Sequence, residues 1–250
     1  FTMVKMGFLK SIATVLPEVK KPSGKLPFKT RIGWTLGILV LFFILGVIPV
    51  WGVSQSADTA FAQLELLLGA SIGSIITLGI GPIVTASIVL QLLNGAGFLK
   101  FDTASESGRK EFATAQKLVT IFFIVFEAII FTAFGVISAE AGSANFTQMQ
   151  IAIIIQLILG AFAIMFMDEI ISKWGFGSGI SLFIAAGVSK EVFIRAFSPL
   201  HPVVEGVAAE GYIGAFWEFF RALASGNTIG AMLAASAVIA TIVVFLVVVY

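Results

Sequence analysis

The sequence predicts an all-α, polytopic helical membrane protein, and two observations lead to this fold class. Of the 250 residues, 58% are hydrophobic and only 12% are charged, which is far from the balance of a soluble domain. Six apolar runs approach or reach the roughly 20 residues that a helix needs to cross about 30 Å of hydrocarbon. The absence of cysteine excludes disulfides and thiolate metal sites, and a single histidine disfavours a histidine metal centre.

The N-terminal segment, residues 1–33, is expected to form a helix on the cytoplasmic membrane surface followed by a linker. Five apolar residues before Pro17 share one helical face: Val4, Phe8, Ile12, Val15 and Leu16. The prolines at 17, 22 and 27 then predict an extended linker.

The predicted membrane spans follow in order. Trp34 and Trp51 bracket the first span as interfacial anchors. The fifth span is the least apolar, because Lys190, Glu191 and Arg195 lie within it. The last run is still apolar at Tyr250, so we expect the chain to be part of a longer polypeptide. The six spans cover residues 34–50, 72–93, 118–138, 149–167, 176–197 and 229–250.

The positions of lysine and arginine predict the orientation of these spans. Twelve of the fifteen basic residues precede the first span, separate the second from the third, or separate the fourth from the fifth. The gaps after the first and third spans contain acidic residues but neither lysine nor arginine. The pattern predicts a multi-pass protein with a cytoplasmic N-terminus and an external connection over residues 198–228.

Glycine and proline interrupt the second apolar run. Pro82 is expected to crowd the carbonyl group of Leu78, and Gly79 and Gly81 leave the helix without side-chain packing, so we expect a kink or a break. In lipid each freed backbone group would cost several kcal/mol, so this backbone should be buried in protein or face a wet cavity. Close helix packing with a harmless kink is the alternative explanation.

A second glycine-rich stretch precedes the fifth apolar run. Gly175, Gly177 and Gly179 alternate just before it. Both stretches are followed or overlapped by two aliphatic residues four apart, which share one helical face. The two pairs are Ile80 with Val84 and Ile180 with Ile184.

The polar residues inside the spans separate the candidate functions. A secondary transporter with discontinuous helices needs charged or carbonyl ligands near the midplane, whereas hydroxyl side chains predominate here. An intramembrane serine protease needs a base for Ser178, but His201 lies beyond the fifth span on the opposite side. Glu127 is the one acid well inside a span and should face the protein interior with a partner. An enzyme is disfavoured, while a transporter and a structural scaffold stay open.

Two long motifs resemble the signature regions of SecY-type protein-conducting channels, in their archaeal and eukaryotic branch. They are TLGIGPIVTASIVLQLL at residues 77–93 and DEIISKWGFGSGISLFIAAGVS at residues 168–189. The main pore-forming (alpha) subunit of that family has two inverted halves of five spans each. The resemblance implies that residues 34–197 form the first half and that residues 229–250 form the first span of an incomplete second half.

The resemblance also implies particular site residues. A pore ring would include Ile80, Val84, Ile180 and Ile184, and Thr85 with Glu127 would belong to a polar cluster at the lateral gate. A plug helix is expected after the first span, where Gly69 and Gly73 have the spacing that permits close approach. Its residues would be Ala62, Gln63, Leu64, Glu65, Leu66, Leu67, Leu68, Gly69, Ala70, Ser71 and Ile72.

The function implied by the resemblance is transport of polypeptides, without catalysis or a cofactor. Such a channel conducts secretory polypeptides across the cell (plasma) membrane and releases membrane segments sideways into membrane lipid. The implied partners are a SecE/gamma-type subunit, a small beta-type subunit, the ribosome, signal-bearing polypeptides and the remaining half of the same subunit. The cytoplasmic segment 99–117 is either a solvated connection or a contact for the SecE-type partner, and segment 168–173 is a second candidate contact.

Overall fold

The computed structural model describes residues 18–53, 72–139, 145–201, 203–204, 207–208 and 211–249. The chain divides into two compact units, Phe1–Ala186 and Gly187–Tyr250. The all-α class is confirmed, with one antiparallel pair of two-residue strands, β1 (Val203–Val204) and β2 (Val207–Ala208). The helices are α1 (Phe28–Val47), α2 (Gly81–Gly95), α3 (Glu106–Ala133), α4 (Phe146–Trp174), α5 (Gly179–Phe197), α6 (Ala215–Ala224) and α7 (Thr228–Val249). The predicted surface helix before Pro17 and the plug apart from Ile72 lie outside the described residues.

Four of the described helices, α1, α3, α4 and α7, are long and apolar enough to cross a membrane. Two of them extend far past the apolar runs that predicted them. α3 begins at Glu106 instead of residue 118, and α4 ends at Trp174 instead of residue 167. Hydropathy marks where lipid begins, whereas helix formers and caps decide where a helix ends. The Ser105 hydroxyl accepts a hydrogen bond from the backbone N–H of Gly108 at 3.1 Å, so most of the predicted 99–117 connection is helical.

The second predicted span is wrong in its first half, because residues 72–80 form consecutive turns and α2 starts only at Gly81. Pro82 therefore lies at the start of a helix, where its missing N–H would have had no intrahelical partner. The expected crowding at Leu78 does not arise, since that carbonyl accepts a hydrogen bond from Gly81 at 3.1 Å. Gly79 adopts a φ of 52°, a left-handed conformation that favours glycine.

The irregular segment 72–80 forms backbone hydrogen bonds within the protein, and residues 76–80 are buried, which is one of the two expected settings. Thr77 and Gly79 donate backbone hydrogen bonds to the carbonyls three residues before them, at 3.1 and 2.9 Å. The first residues of the segment are hydrogen-bonded to the residues just after α1. The N–H of Val50 donates to the carbonyl of Gly73 at 2.8 Å, and the N–H of Ile75 donates to the carbonyl of Ile48 at 3.0 Å. Four of its side chains are at most 1% exposed: Ile76, Thr77, Leu78 and Ile80.

Helix α4 lies at the centre of the first unit, where it packs against α1 and α3. A Cβ atom at Gly160 would overlap the backbone carbonyl of Ile75, so α4 and the irregular segment touch backbone to backbone. The Gln156 side chain also accepts a hydrogen bond from the N–H of Trp51 at 2.9 Å and donates to its carbonyl at 3.1 Å. The buried residues of α4 are Ile153, Leu157, Gly160, Ala161, Ile164, Met165, Met167 and Ile171.

The second unit contains the end of α5, the two strands, α6 and α7. The predicted external connection is thus partly helical. Gly214 donates a backbone hydrogen bond to Ser198 at 3.0 Å, and the Trp217 indole donates to the carbonyl of Phe197 at 2.9 Å. The Asn227 side chain caps the start of α7 by accepting from the N–H of Gly230 at 3.0 Å.

Replacing Gly160 with alanine in the full-length subunit should lower the thermal unfolding midpoint in detergent micelles. The new methyl group would force apart α4 and the irregular segment, which costs about 1–3 kcal/mol for an overpacked interior. Gly37→Ala in α1 is the matched control, because nothing lies within 4 Å of a Cβ there. Equal midpoints for the two variants would contradict the backbone contact at Gly160.

Candidate pore constriction and lateral gate

The four residues expected in the pore ring occupy the first turns of α2 and α5. Ile80 is the N-cap residue of α2, and Val84 donates its N–H to the Ile80 carbonyl at 3.1 Å, so this pair is one turn apart. Ile180 is the second residue of α5, and Ile184 follows one turn later. Ile80 belongs to the buried core of the first unit, and Val84 and Ile180 pack against that core. Ile184 is 36% exposed, so three of the four residues lie in or against the core of the first unit.

Three alternating glycines lie where α4 connects to α5, and each has a different reason to lack a side chain. A Cβ at Gly175 would lie 2.8 Å from the Thr35 hydroxyl oxygen, and one at Gly179 would lie 2.6 Å from the Cα of Asp168. Gly177 adopts a φ of 69°, a conformation that side chains disfavour. These glycines therefore permit tight packing of the connection between α4 and α5, where the sequence alone indicated only loosened helices.

Helix α1 holds the same connection through Phe176. The backbone N–H of Phe176 donates to the Thr35 hydroxyl at 3.2 Å. Its ring meets the Phe28 ring edge to face at 5.3 Å between centroids, and the Arg31 guanidinium carbon lies 6.0 Å from its centroid. Sequence analysis did not indicate Thr35, because an isolated threonine in an apolar run carries no signal of its partner.

Asp168 reaches from α4 to the start of α5. Its Oδ1 accepts a hydrogen bond from the N–H of Ile180 at 3.0 Å. The sequence had placed Asp168 in a segment considered for partner contact, and its link to α5 was missed. The link depends on the turn between the two helices, which spacing alone does not reveal.

The two residues expected at the lateral gate are brought together by the packing of α2 against α3. The side chain of Thr85, on α2, lies within interaction range of the carboxyl group of Glu127, on α3. Both side chains are half-buried. Glu127 therefore has a partner on the neighbouring helix, as an acid inside an apolar span requires.

Four charged residues form a cluster at the end of α4, which we call the charged cluster: Glu18, Lys117, Glu169 and Lys173. The Glu169 carboxylate pairs with Lys117 at 3.0 Å and with Lys173 at 2.8 Å. Lys173 also pairs with Glu18 at 2.6 Å, and this hydrogen bond holds the pKa of the Glu18 carboxyl below its ordinary value of 4.5. Since the pKa of Glu18 is lowered, the pair is fully formed above pH 4.5 and is lost only as the pH falls below that value.

The charged cluster anchors the N-terminal segment to α4. Lys173 donates to the carbonyl of Val19 at 2.6 Å, and the Trp174 indole donates to the carbonyl of Lys20 at 2.8 Å. The Trp34 and Trp174 rings lie 5.6 Å apart between centroids. An open cleft of about 1010 Å³ adjoins the cluster. Within the part of the chain that the structure describes, no group of three or more histidine, cysteine or acidic side chains could hold a metal.

The comparisons with known proteins identify the family. A family model described as SecY matches residues 74–250. The chain belongs to the SecY family. It is 45% identical over 238 residues to the protein translocase subunit SecY of Methanothermobacter thermautotrophicus, covering 95% of this chain and 50% of that protein. It is 40% identical over 246 residues to the SecY subunit of Pyrococcus horikoshii, covering 94% of this chain and 52% of that protein.

Solved structures give the same result. A protein-conducting channel has a TM-score of 0.78 at 36% identity, covering 96% of this chain and 51% of that chain. Sec61 in the canine ribosome–channel complex from the endoplasmic reticulum matches with the same TM-score, identity and coverage. The resemblance inferred from the two motifs is thus confirmed. The chain spans about half the length of the relatives it matches.

Replacing Lys173 with methionine should release the N-terminal segment. In the full-length subunit, trypsin should then cleave after Lys20 about tenfold faster, because charge-assisted hydrogen bonds to Glu18 and Val19 are lost. Mass spectrometry of the fragments measures the rate. Lys110→Met is the matched control, since its ion pair with Glu106 is exposed and should leave the rate unchanged. Equal rates in the two variants would refute the anchoring.

Proposed function

We propose that this chain forms one half of the pore of a protein-conducting channel, completed by the remaining half of the same subunit. The proposal rests on the placement of two aliphatic pairs in the first turns of α2 and α5, with Ile80, Val84 and Ile180 in or against the buried core of the first unit. Membership of the SecY family supports it, and the comparisons favour a channel over a secondary transporter. The proposed channel moves secretory polypeptides across the membrane and inserts membrane proteins laterally.

An aliphatic constriction suits this task because it must pass side chains of every chemistry and bind none of them strongly. When it is empty, a narrow apolar waist tends to dewet, which raises the barrier to ions without a charged filter. When a polypeptide occupies it, branched side chains can close around the chain. Ile80, Val84, Ile180 and Ile184 supply this chain's share of the ring, and the plug at 62–72 would support the seal.

The lateral gate would run along one side of α2 and α3. These two helices pack against each other, with Thr85 near Glu127, so they would move as one edge of the gate. A signal sequence that parts this edge from later spans would reach lipid. The interaction with Glu127 of α3 would restrain Thr85 of α2, and its loss would leave α2 freer to move.

The proposed setting is the cell (plasma) membrane, with the N-terminus cytoplasmic. The concentration of basic residues in alternate gaps supports this orientation. The expected partners are a SecE/gamma-type subunit, a small beta-type subunit and the ribosome. The likeness to Sec61 in a ribosome–channel complex supports the last of these. Energy for transport would come from outside the chain, for example from the elongating ribosome.

The ring is tested by changing Ile80, Val84, Ile180 and Ile184 together to serine in the full-length subunit. Water should then occupy the waist, and the resting ion conductance of proteoliposomes should rise while polypeptides still pass. The control changes four exposed residues away from the proposed ring face: Val40 on α1, Leu93 on α2, and Phe193 and Phe197 on α5. If the quadruple ring variant is as ion-tight as its parent, even with residues 62–72 deleted, these four residues do not form the constriction.

The gate is tested with Glu127→Gln and Thr85→Val. Each change weakens the interaction between α2 and α3, so a less hydrophobic signal should suffice to open the channel. The measurement is transport efficiency across a series of signals of graded hydrophobicity. The double variant should add little to the larger single effect, because both changes remove one interaction. Thr114→Val is the control, since that hydroxyl bonds only within its own helix, to Lys110. If both variants require the same signal hydrophobicity as the parent, Thr85 and Glu127 serve only in helix packing.

A further inference from the structure

The start of α5 is capped from another helix. The first backbone N–H groups of a helix have no intrahelical partner, and a local polar side chain at the N-cap usually accepts from them. Here the residue before α5 is Ser178, whose side chain is exposed and whose carbonyl accepts from the N–H of Leu182 at 3.2 Å. The acceptor for the N–H of Ile180 is the carboxylate of Asp168 on α4, whose Oδ1 lies 3.0 Å from the Ile180 nitrogen.

The packing around this cap leaves little freedom. A Cβ at Gly179 would lie 2.6 Å from the Cα of Asp168 and 2.7 Å from its Oδ1, so α4 and the start of α5 are in close backbone contact. A negative charge at this position also complements the partial positive charge of a helix N-terminus. The cap is therefore both steric and electrostatic, and α5 cannot shift along α4 without breaking it.

The N–H that Asp168 holds belongs to a residue proposed for the pore ring. Fixing the backbone of Ile180 fixes the position from which its side chain enters the constriction. The start of α2 depends on the same helix, because Gly160 of α4 contacts the carbonyl of Ile75 in the segment that leads into Ile80. Helix α4 thus serves as a common reference for both aliphatic pairs.

We propose that Asp168 is a positioning residue for the pore constriction: its carboxylate clamps the start of α5 to α4 and so holds Ile180 in the ring. This inference rests on the proposed channel function. It predicts that loss of the carboxylate loosens the ring at α5 and leaves the α2 side in place.

The adjacent acid on the same helix provides a matched control. Glu169 carries the same charge, but its carboxylate pairs with Lys117 and Lys173 in the charged cluster. Glu169→Gln should therefore disturb the N-terminal segment without reaching α5. If the Asp168 variant and Glu169→Gln affect the start of α5 differently, the effect comes from the cap and not from the loss of acidic charge on α4.

The experiment uses a cysteine-free full-length subunit in proteoliposomes, with a single cysteine at residue 180 or at residue 84. The rate of modification by a small charged methanethiosulfonate reagent is measured in the resting channel. Asp168→Ala should raise the rate at 180 by about tenfold, the factor expected when a charge-assisted hydrogen bond is lost. The rate at 84 should stay within about twofold, and Glu169→Gln should change neither rate. An unchanged rate at 180, or an equal rise at both positions, would overturn the proposal.

Two further measurements complete the test. If Asp168→Ala does not accumulate, Asp168→Asn carries the same comparison with a rise of about threefold at 180, because its amide oxygen still accepts one hydrogen bond but without the charge. The quadruple ring variant is measured alongside. If the quadruple ring variant leaks ions but the modification rate at residue 180 does not change in the Asp168 variant, only the clamp is refuted. If the rate at residue 180 rises but the quadruple ring variant stays ion-tight, the proposed pore is refuted.

Discussion

The structure depends on satisfying an irregular stretch of backbone within apolar surroundings. Residues 72–80 lie in a region that a continuous helix would otherwise cross, and water is not present in lipid to solvate their peptide groups. Successive turns and two hydrogen bonds to the residues just after α1 supply partners for several of them. This arrangement works only if another element covers the segment, and α4 does so at Gly160, where no side chain keeps the two backbones apart.

The consequence is a division of labour among the helices of the first unit. Helix α4, with its buried face, fixes the segment before α2 at one level and the start of α5 at another. Helix α1 adds contacts from Thr35 and Phe28 to the connection that precedes α5. The proposed ring residues thus begin helices whose entry points are held, while the bodies of those helices carry exposed apolar faces, as at Leu92 and Val188. A seal needs helix starts that are held in place. A pore that widens needs helix bodies that can move.

Sequence reasoning predicted the helical class and the approximate spans, because hydrophobic runs report directly on burial in lipid. It did not predict helix ends, since the charged residues after 106 and before 174 are good helix formers that hydropathy excludes. Pro82 was correctly taken as a break, but its place at the start of a helix needed the structure. Thr85 and Glu127 lie near each other, and their role at a lateral gate stays a prediction. The caps and clamps made by Asp168, Gln156 and Thr35 were missed, because each joins residues whose distance along the chain carries no pattern.

Adjacent acids at the end of α4 show how one helix turn serves two purposes. Successive residues in an α-helix point about 100° apart, so Asp168 and Glu169 meet different neighbours. Asp168 faces the start of α5, whereas Glu169 faces Lys117 of α3 and Lys173 of its own helix. The N-terminal segment and the proposed constriction are therefore attached to the same few residues of backbone. Opening must either carry the start of α5 together with α4 or break the Asp168 cap. Breaking one charge-assisted hydrogen bond costs about 1.5–3 kcal/mol, which is small enough for the binding of a substrate to supply.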